Sequence, residues 1–155
     1  MIEVKIPHVL LAPLSRRVLD YMSRYPPTRT VEDLAGMPYL NRWELRGNHP
    51  IFDIYLHQFL KSDDNRALHD HPSMSIAIIL SGQYTERFPE NRHKIRRRGD
   101  IILRRATTAH RIEIDEGQPG PITVFVRGPK FREWRFHCTN GWRHHHDFRV
   151  RGCDP

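Results

Sequence analysis

The chain has 155 residues, enough for one domain with a hydrophobic core and too few for two domains of ordinary size. Its aromatic fraction of 10% and its moderate apolar content exclude a chain that is disordered throughout. Twelve prolines and nine glycines favour a protein with many turns, as in all-β folds, over a helix bundle.

The formal net charge is +7, from 25 Lys and Arg residues against 18 Asp and Glu residues. The basic residues are spread along the chain, which favours a solvated surface over a nucleic-acid interface. An anionic substrate or an acidic partner is equally compatible with this charge, and nucleic-acid binding stays open as an alternative.

The sequence shows no membrane or export signal. No window holds 18 uncharged apolar residues, and Glu3, Lys5 and Pro7 interrupt the apolar run at the N-terminus. Cys138 and Cys153 fit no metal-binding spacing and are too few for a disulfide framework. We therefore expect no membrane association, a reduced, cytoplasmic setting and a buried, inert thiol at Cys138.

Residues 1–42 are predicted to form a helical extension that packs on the remainder of the chain. Apolar residues at three- and four-residue spacing predict a helix over 14–25, which the following Pro-Pro pair ends. A shorter helix is predicted over 31–35, with Thr30 as its cap and Gly36 after its last residue.

Residues 43–155 are predicted to form one β domain, because short strand patterns alternate with turn residues from residue 43 onward. The spacing of about 8–12 residues between strands, without long helical crossovers, indicates a sandwich or small barrel rather than a parallel βαβ sheet. The tail from Thr139 is predicted to be irregular. The candidate strands cover residues 43–46, 51–60, 74–80, 84–88, 93–97, 101–104, 110–114, 122–126 and 132–137.

Three histidines in this region are candidates for one metal site. His69 and His71 are two residues apart, so on a strand both point to one face while Asp70 points away. Two imidazoles make a weak site, and a third ligand has to come from a neighbouring strand. His110 is the best candidate, because it shares a strand face with Ile112. A buried histidine bonded to a backbone carbonyl is the alternative interpretation of His110.

The spacing of these histidines resembles the two motifs of the cupin family. The first motif, G-x5-H-x-H-x(3,4)-E-x6-G, aligns without gaps on Asp63, His69, His71, Ser75 and Gly82. The second motif, G-x5-P-x-G-x2-H-x3-N, aligns on Gly99, Arg105, Thr107, His110 and Ile114. The residues that depart from the pattern are Asp63, Ser75, Arg105, Thr107 and Ile114. The resemblance implies an all-β double-stranded β-helix, the cupin or jelly-roll barrel, with one or two short N-terminal helices.

Ser75 stands where many cupins have a glutamate ligand. The resemblance therefore implies a metal held by three imidazoles, similar to the cupin dioxygenases that hold Fe(II) with three histidines, thiol dioxygenases among them. Three neutral ligands leave the metal charge uncompensated, which attracts anionic ligands and acidifies bound water. Fe(II) is the metal that the resemblance favours, with Zn, Mn or Ni as alternatives. Ser75 is expected close to the metal.

Further residues are expected to line such a site. Arg66, three residues before His69, is the candidate to bind a substrate carboxylate, because a guanidinium donates two parallel hydrogen bonds. Arg104, Arg105 and Arg127 are its rivals. Tyr55, His57 and Tyr84 are candidates to donate a hydrogen bond to substrate or dioxygen, with half-buried strand packing as the alternative.

His144, His145 and His146 follow one another and cannot all face one ion on a regular strand. We interpret them as a surface cluster with adventitious metal affinity.

Three functions remain open from the sequence. The first is a mononuclear non-heme Fe(II) dioxygenase that acts with O2 on a small anionic or thiol-containing substrate. The second is a cupin isomerase or lyase with Zn, Mn or Ni. The third is a non-catalytic basic module that binds nucleic acid or an acidic partner. The resemblance also implies that the chain could form a homodimer.

Overall fold

The computed structural model describes residues 2–33, 35–63, 67–115 and 117–153. Strands dominate, and they begin and end mainly at glycine, proline and acidic turn residues. The strands and helices are β1 (Ile2–Lys5), α1 (His8–Arg24), β2 (Arg29–Glu32), β3 (Pro38–Arg46), β4 (Asp53–Phe59), β5 (Leu68–His69), β6 (Ser75–Ser81), β7 (Gln83–Arg87), β8 (His93–Arg97), β9 (Asp100–Arg104), β10 (Arg111–Glu113), β11 (Ile122–Arg127), β12 (Arg135–Cys138), β13 (Gly141–His144) and α2 (His145–Arg151).

The strands form three antiparallel sheets. The largest has the order β1-β9-β6-β11-β4-β3-β2, and two three-stranded sheets have the orders β10-β7-β8 and β13-β12-β5. Hairpins pair some consecutive strands, such as β3 with β4 and β7 with β8, but β9, β6, β11 and β4 are neighbours that are distant in sequence, so the chain passes repeatedly between the layers. This arrangement confirms the predicted double-stranded β-helix.

The barrel interior lies between the large sheet and the sheet of β7, β8 and β10. Alternate residues of the facing strands point into it, as the period of two requires. The apolar part of this interior consists of Leu40, Phe59, Ile79, Tyr84, Ile102 and Ile112.

Helix α1 covers the outer face of the large sheet. Leu11 and Val18 pack there against Trp43 and Leu56, and Ser15 Oγ donates to the carbonyl of Leu80 at 3.3 Å. The helix begins at His8, six residues before the predicted start, and continues through Pro13. Pro13 cannot donate a backbone hydrogen bond, and burial of Leu11 and Val18 on either side of it favours the helix in spite of this loss. No helix among the described residues is both long enough and apolar enough to cross a bilayer.

The predicted helix over 31–35 is wrong. Residues 29–32 instead form β2, which pairs with β3, and the short apolar spacing is equally compatible with a strand. Asp33 begins a turn, because its Oδ1 accepts from the backbone N–H groups of Ala35 and Met37 at 2.9 Å each. The division into 1–42 and 43–155 stays a prediction, and β3 runs across that boundary.

The predicted irregular tail is wrong as well. Strands β12 and β13 form a hairpin, and α2 folds back so that the ring of Phe148 stacks on Phe136 at 3.6 Å between centroids. Phe148 is 1% exposed and lies in a small core with Ala67. Gly and Pro residues in the tail favour irregular structure. The tail folds because it contacts Ala67, which is distant in sequence and which no local pattern reveals.

Cys138 and Cys153 form a disulfide, with their Cα atoms 5.4 Å apart. The expected free thiol at Cys138 is therefore wrong. Cys138 ends β12 and Cys153 follows α2, so only the return of α2 onto β12 brings the two residues together. The argument for a reducing compartment rested on unpaired cysteines, and this pairing removes it.

We expect Leu56→Ala to lower the free energy of unfolding by about 2–5 kcal/mol, because Leu56 is 1% exposed between the large sheet and α1. Chemical denaturation measures the change. The matched control is Leu45→Ala, one strand away and 46% exposed, which we expect to cost less than about 1 kcal/mol. Equal losses in both variants would contradict the described packing of α1.

Candidate metal centre

His69, His71 and His110 converge at one end of the barrel interior. His69 and His110 are antiparallel bridge partners, with backbone N–H groups donating to the opposite carbonyls at 2.9 and 3.0 Å. His71 is held by its own N–H, which donates to the carbonyl of Ala106 at 2.9 Å. Directly opposite residues share a sheet face, so the three imidazoles meet although 41 residues separate the outer two.

The three imidazoles each offer a nitrogen within 4.8 Å of the others. The Nε2 atoms of His71 and His110 are 2.7 Å apart. Burial lowers the pKa of His71 well below its ordinary value, and burial with the charge of Arg104 lowers the pKa of His110 to about 4. Both rings are therefore neutral near pH 7, which is the form that binds a metal.

Glu86 is the residue of this site that sequence reasoning missed. It is 0% exposed, and its Oε1 lies 2.8 Å from His110 Nδ1. A carboxylate beside one ring nitrogen orients the ring and turns the other nitrogen, Nε2, towards His71, as in many metal–histidine–carboxylate arrangements. Its position in β7, on the same face as Tyr84, was the available signal, since strand alternation places both inside.

Two buried arginines hold the Glu86 carboxylate. Arg96 Nε lies 2.5 Å from Oε2 and Arg104 Nε lies 2.7 Å from Oε1. Burial by itself raises the pKa of Glu86, but the contacts with His110 and Arg104 outweigh it and hold the pKa well below its ordinary value. Tyr84, a predicted site residue, joins this network because its hydroxyl accepts from Arg104 Nη2 at 3.0 Å.

Asp70 points away from the triad, as strand alternation predicted. Its Oδ2 accepts from Arg132 Nη1 and its Oδ1 from the backbone N–H of Arg135, both at 2.7 Å. These bonds hold the segment before β12, and the Trp134 ring lies 6.1 Å from the ring of His69. Asp70 thereby supports one wall of the site rather than the metal position.

Ser75 lies on the inner face of β6, directly between Arg104 of β9 and Arg127 of β11. Its hydroxyl is buried and has no hydrogen-bond partner among the described residues. Arg127 is half-buried and pairs with Asp53, and its buried Nε has no partner in the described part of the chain. Arg104, Ser75 and Arg127 therefore lie side by side on three neighbouring strands. Arg104 contacts Glu86, and Arg127, at the other end of this row, is partly exposed to solvent.

Tyr55 and His57 face the same interior from β4, but their polar atoms already have partners. The hydroxyl of Tyr55 donates to Asp53 Oδ2 at 3.1 Å, and His57 Nε2 accepts from Arg42 Nε at 3.1 Å. The two side chains therefore order Asp53 and Arg42 within the barrel interior. No contact with the triad is described for either side chain.

The remaining arginines differ in their access to the site. Arg66, the predicted substrate-binding residue, lies outside the described residues. Arg105 is exposed, and Arg104 is committed to Glu86 and Tyr84. Arg127 alone of the three rivals combines a side chain that reaches solvent with a free N–H facing the interior.

No protein-family model matches the sequence, and no curated protein sequence is similar to it. Solved structures do match the fold. A protein of unknown function with a cupin-like fold from Ralstonia eutropha JMP134 is 12% identical over 79% of this chain and 72% of its own, with a TM-score of 0.57. The DMSP lyase DddQ from Ruegeria pomeroyi DSS-3 is 13% identical over 83% and 77% of the two chains, with a TM-score of 0.56.

A third similar structure is that of Fe(II) HppE, 15% identical over 68% of this chain and 58% of the other, with a TM-score of 0.54. At these identities the likeness concerns the fold. It agrees with the strand order described above, and the chain has the cupin-like, double-stranded β-helix fold.

We expect the contribution of His57 to the free energy of unfolding to decrease as the pH is lowered. Burial and the charge of Arg42 lower its pKa from 6.5 to about 3 in the folded chain. Between these values the unfolded chain binds the proton and the folded chain does not, so stability falls as pH falls through 6.5. The difference in unfolding free energy between wild type and His57→Gln should shrink by about 2 kcal/mol from pH 7.5 to pH 5. A difference that does not vary with pH would contradict the buried, neutral ring.

Proposed function

We propose that the protein is a metal-dependent enzyme with the cupin fold. The observation that carries this proposal is the triad of His69, His71 and His110. Each imidazole offers a nitrogen within 4.8 Å of the other two, and the buried carboxylate of Glu86 contacts the far side of the His110 ring. His110 is 3% exposed, and removing imidazole nitrogens from water is costly unless each nitrogen has a partner. The same arrangement is favourable when the nitrogens share a metal.

The donor set fits a borderline divalent cation. Imidazole suits Fe, Zn, Ni and Cu, and the three rings each offer a nitrogen within 4.8 Å of the others. Three imidazoles carry no charge, so a divalent ion held there keeps its full charge and acts as a Lewis acid towards an anionic ligand. Glu86 lies behind His110 and increases the basicity of that ring.

The substrate that the residues beside the triad favour is a small anion. Arg127 offers a free N–H, and Ser75 beside it offers a free hydroxyl. Both can bind a carboxylate, while Tyr55 packs near Arg127 and limits its movement, with 5.9 Å between the guanidinium and the ring centre. Arg127 therefore takes the substrate-orienting role that the sequence assigned to Arg66.

Within this class we propose a mononuclear non-heme Fe(II) dioxygenase acting on a small anionic or thiol-containing substrate. The absence of a carboxylate at Ser75 supports three-histidine iron, and the fold likeness to Fe(II) HppE agrees with it. The likeness to a DMSP lyase favours a second candidate, a cupin lyase or isomerase that uses Zn, Mn or Ni at the same triad. Turnover that does not require iron or O2 would distinguish the second candidate.

We expect the His69→Ala/His110→Ala variant to lose the metal of the triad, because one remaining imidazole is too weak a ligand set. Both this variant and its parent carry His144→Ala/His146→Ala, so that only metal bound at the triad of His69, His71 and His110 is measured. Elemental analysis after purification without chelator or tag should give about one metal per chain in the parent and none in the variant.

Glu86→Asp provides a graded comparison, since it keeps the charge that Arg96 and Arg104 require but withdraws the carboxylate from His110. We expect metal affinity to fall by about 10–100-fold in a folded protein. Thermal unfolding confirms folding of each variant. Stoichiometric metal in the double histidine variant would refute the triad as the metal site.

The reaction is tested by O2 uptake of the iron-loaded protein with thiols and small carboxylic acids. For any acid that is turned over, Arg127→Lys should raise KM by about 10-fold or more with a smaller change in kcat, because lysine keeps the charge facing Asp53 but loses the planar fork. The matched control is Arg105→Lys, on an exposed side chain. An equal effect in both variants would exclude Arg127 as the substrate-orienting residue.

A further inference from the structure

A second histidine cluster lies where β13 meets α2. His144 is the last residue of the strand and His145 the first of the helix. The change of backbone direction at this junction removes the alternation of a regular strand, which was the reason for expecting the rings to diverge. In the structure His144, His145 and His146 each offer a ring nitrogen within 4.8 Å of the other two.

A carboxylate faces the same point from the segment before β12. Glu133 Oε2 lies 3.7 Å from His144 Nε2 and 3.8 Å from His145 Nδ1. These distances are too long for hydrogen bonds. The separation between Glu133 Oε2 and His144 Nε2 is close to that of about 3.4 Å between two ligands of one tetrahedral zinc ion. His145 Nδ1 faces the carbonyl of Trp134, which can only accept a hydrogen bond, so Nε2 is the nitrogen of His145 that remains for a cation. The other oxygen, Oε1, pairs with Lys130 Nζ at 2.6 Å and leaves Oε2 facing the histidines.

The central ring of the cluster is already held in place. His145 is 9% exposed, its Nδ1 lies 3.3 Å from the carbonyl of Trp134, and its ring stacks on the Trp134 ring at 4.8 Å. His144 is half-buried and His146 is exposed, so the cluster opens to solvent on one side. A cation can therefore enter with little rearrangement of the buried part.

We propose that His144, His145, His146 and Glu133 form a second divalent-cation site, fitted to zinc and separate from the triad. Three imidazoles and one carboxylate complete a four-coordinate set of nitrogen and oxygen ligands. A cation there joins α2 to the segment before β12. Trp134 lies between the two sites, 4.8 Å from the ring of His145 and 6.1 Å from that of His69, so this cation also fixes one wall of the triad.

The test is zinc titration of the His69→Ala/His110→Ala protein, in which the triad is absent. Isothermal titration calorimetry should show one equivalent of Zn2+ with a dissociation constant below about 10 μM. Adding His144→Ala/His146→Ala should weaken this binding by at least about 100-fold, and adding Glu133→Gln by about 10-fold. Saturating Zn2+ should raise Tm in the first protein and leave it unchanged in the His144→Ala/His146→Ala derivative.

The matched control is His8→Ala/His93→Ala, which removes two exposed histidines elsewhere on the surface. Binding that is lost equally in this control would mark an adventitious ion only and would overturn the proposal. No Zn2+ binding, or binding that the His144→Ala/His146→Ala change does not alter, would overturn it as well. The proposed function of the triad is unaffected by either outcome, because the triad is absent from these proteins.

Discussion

The buried carboxylate of Glu86 is the group on which the site depends. It has no exposed surface and contacts two arginines and one histidine, Arg96, Arg104 and His110. A carboxylate in a low-dielectric interior is stable only when such partners surround it, and removing one partner leaves the others as unpaired buried charges. The ionised form of Glu86 thus requires the correct pairing of four separate strand segments.

This requirement connects the fold to the chemistry. Arg96 lies in β8 and Arg104 in β9, while Glu86 itself lies in β7 and His110 just before β10. The apolar side chains of Ile79 and Ile102 occupy the interior beyond this polar layer. The barrel interior therefore has one apolar part and one charged part, and the histidine triad lies at the charged part.

The triad was accessible to sequence reasoning because the positions of its histidines obey local rules. Alternation on a strand puts His69 and His71 on one face, and the motif spacing puts His110 opposite them. Glu86 was not accessible in this way, since it lies between the two motifs and its role depends on strand pairing. From the sequence, Arg127 was only one of several candidate arginines for binding a substrate. The cross-strand register distinguishes it, because it places Arg127 directly opposite Ser75. The helix expected over 31–35 failed because pairing with β3 overrode a short apolar pattern.

The sequence by itself determined the β architecture of the barrel and the three histidines at its polar end, because period-two alternation and turn residues act locally. Only the tertiary structure decided the conformation of the tail after Cys138. There α2 returns to β12, pairs Cys138 with Cys153 and brings His144–His146 onto Glu133. The physical reason is that these contacts join segments whose local preferences are weak. Their positions follow from burial of Phe148 and from the bonds of Asp70 to Arg132 and Arg135 rather than from any pattern within the tail.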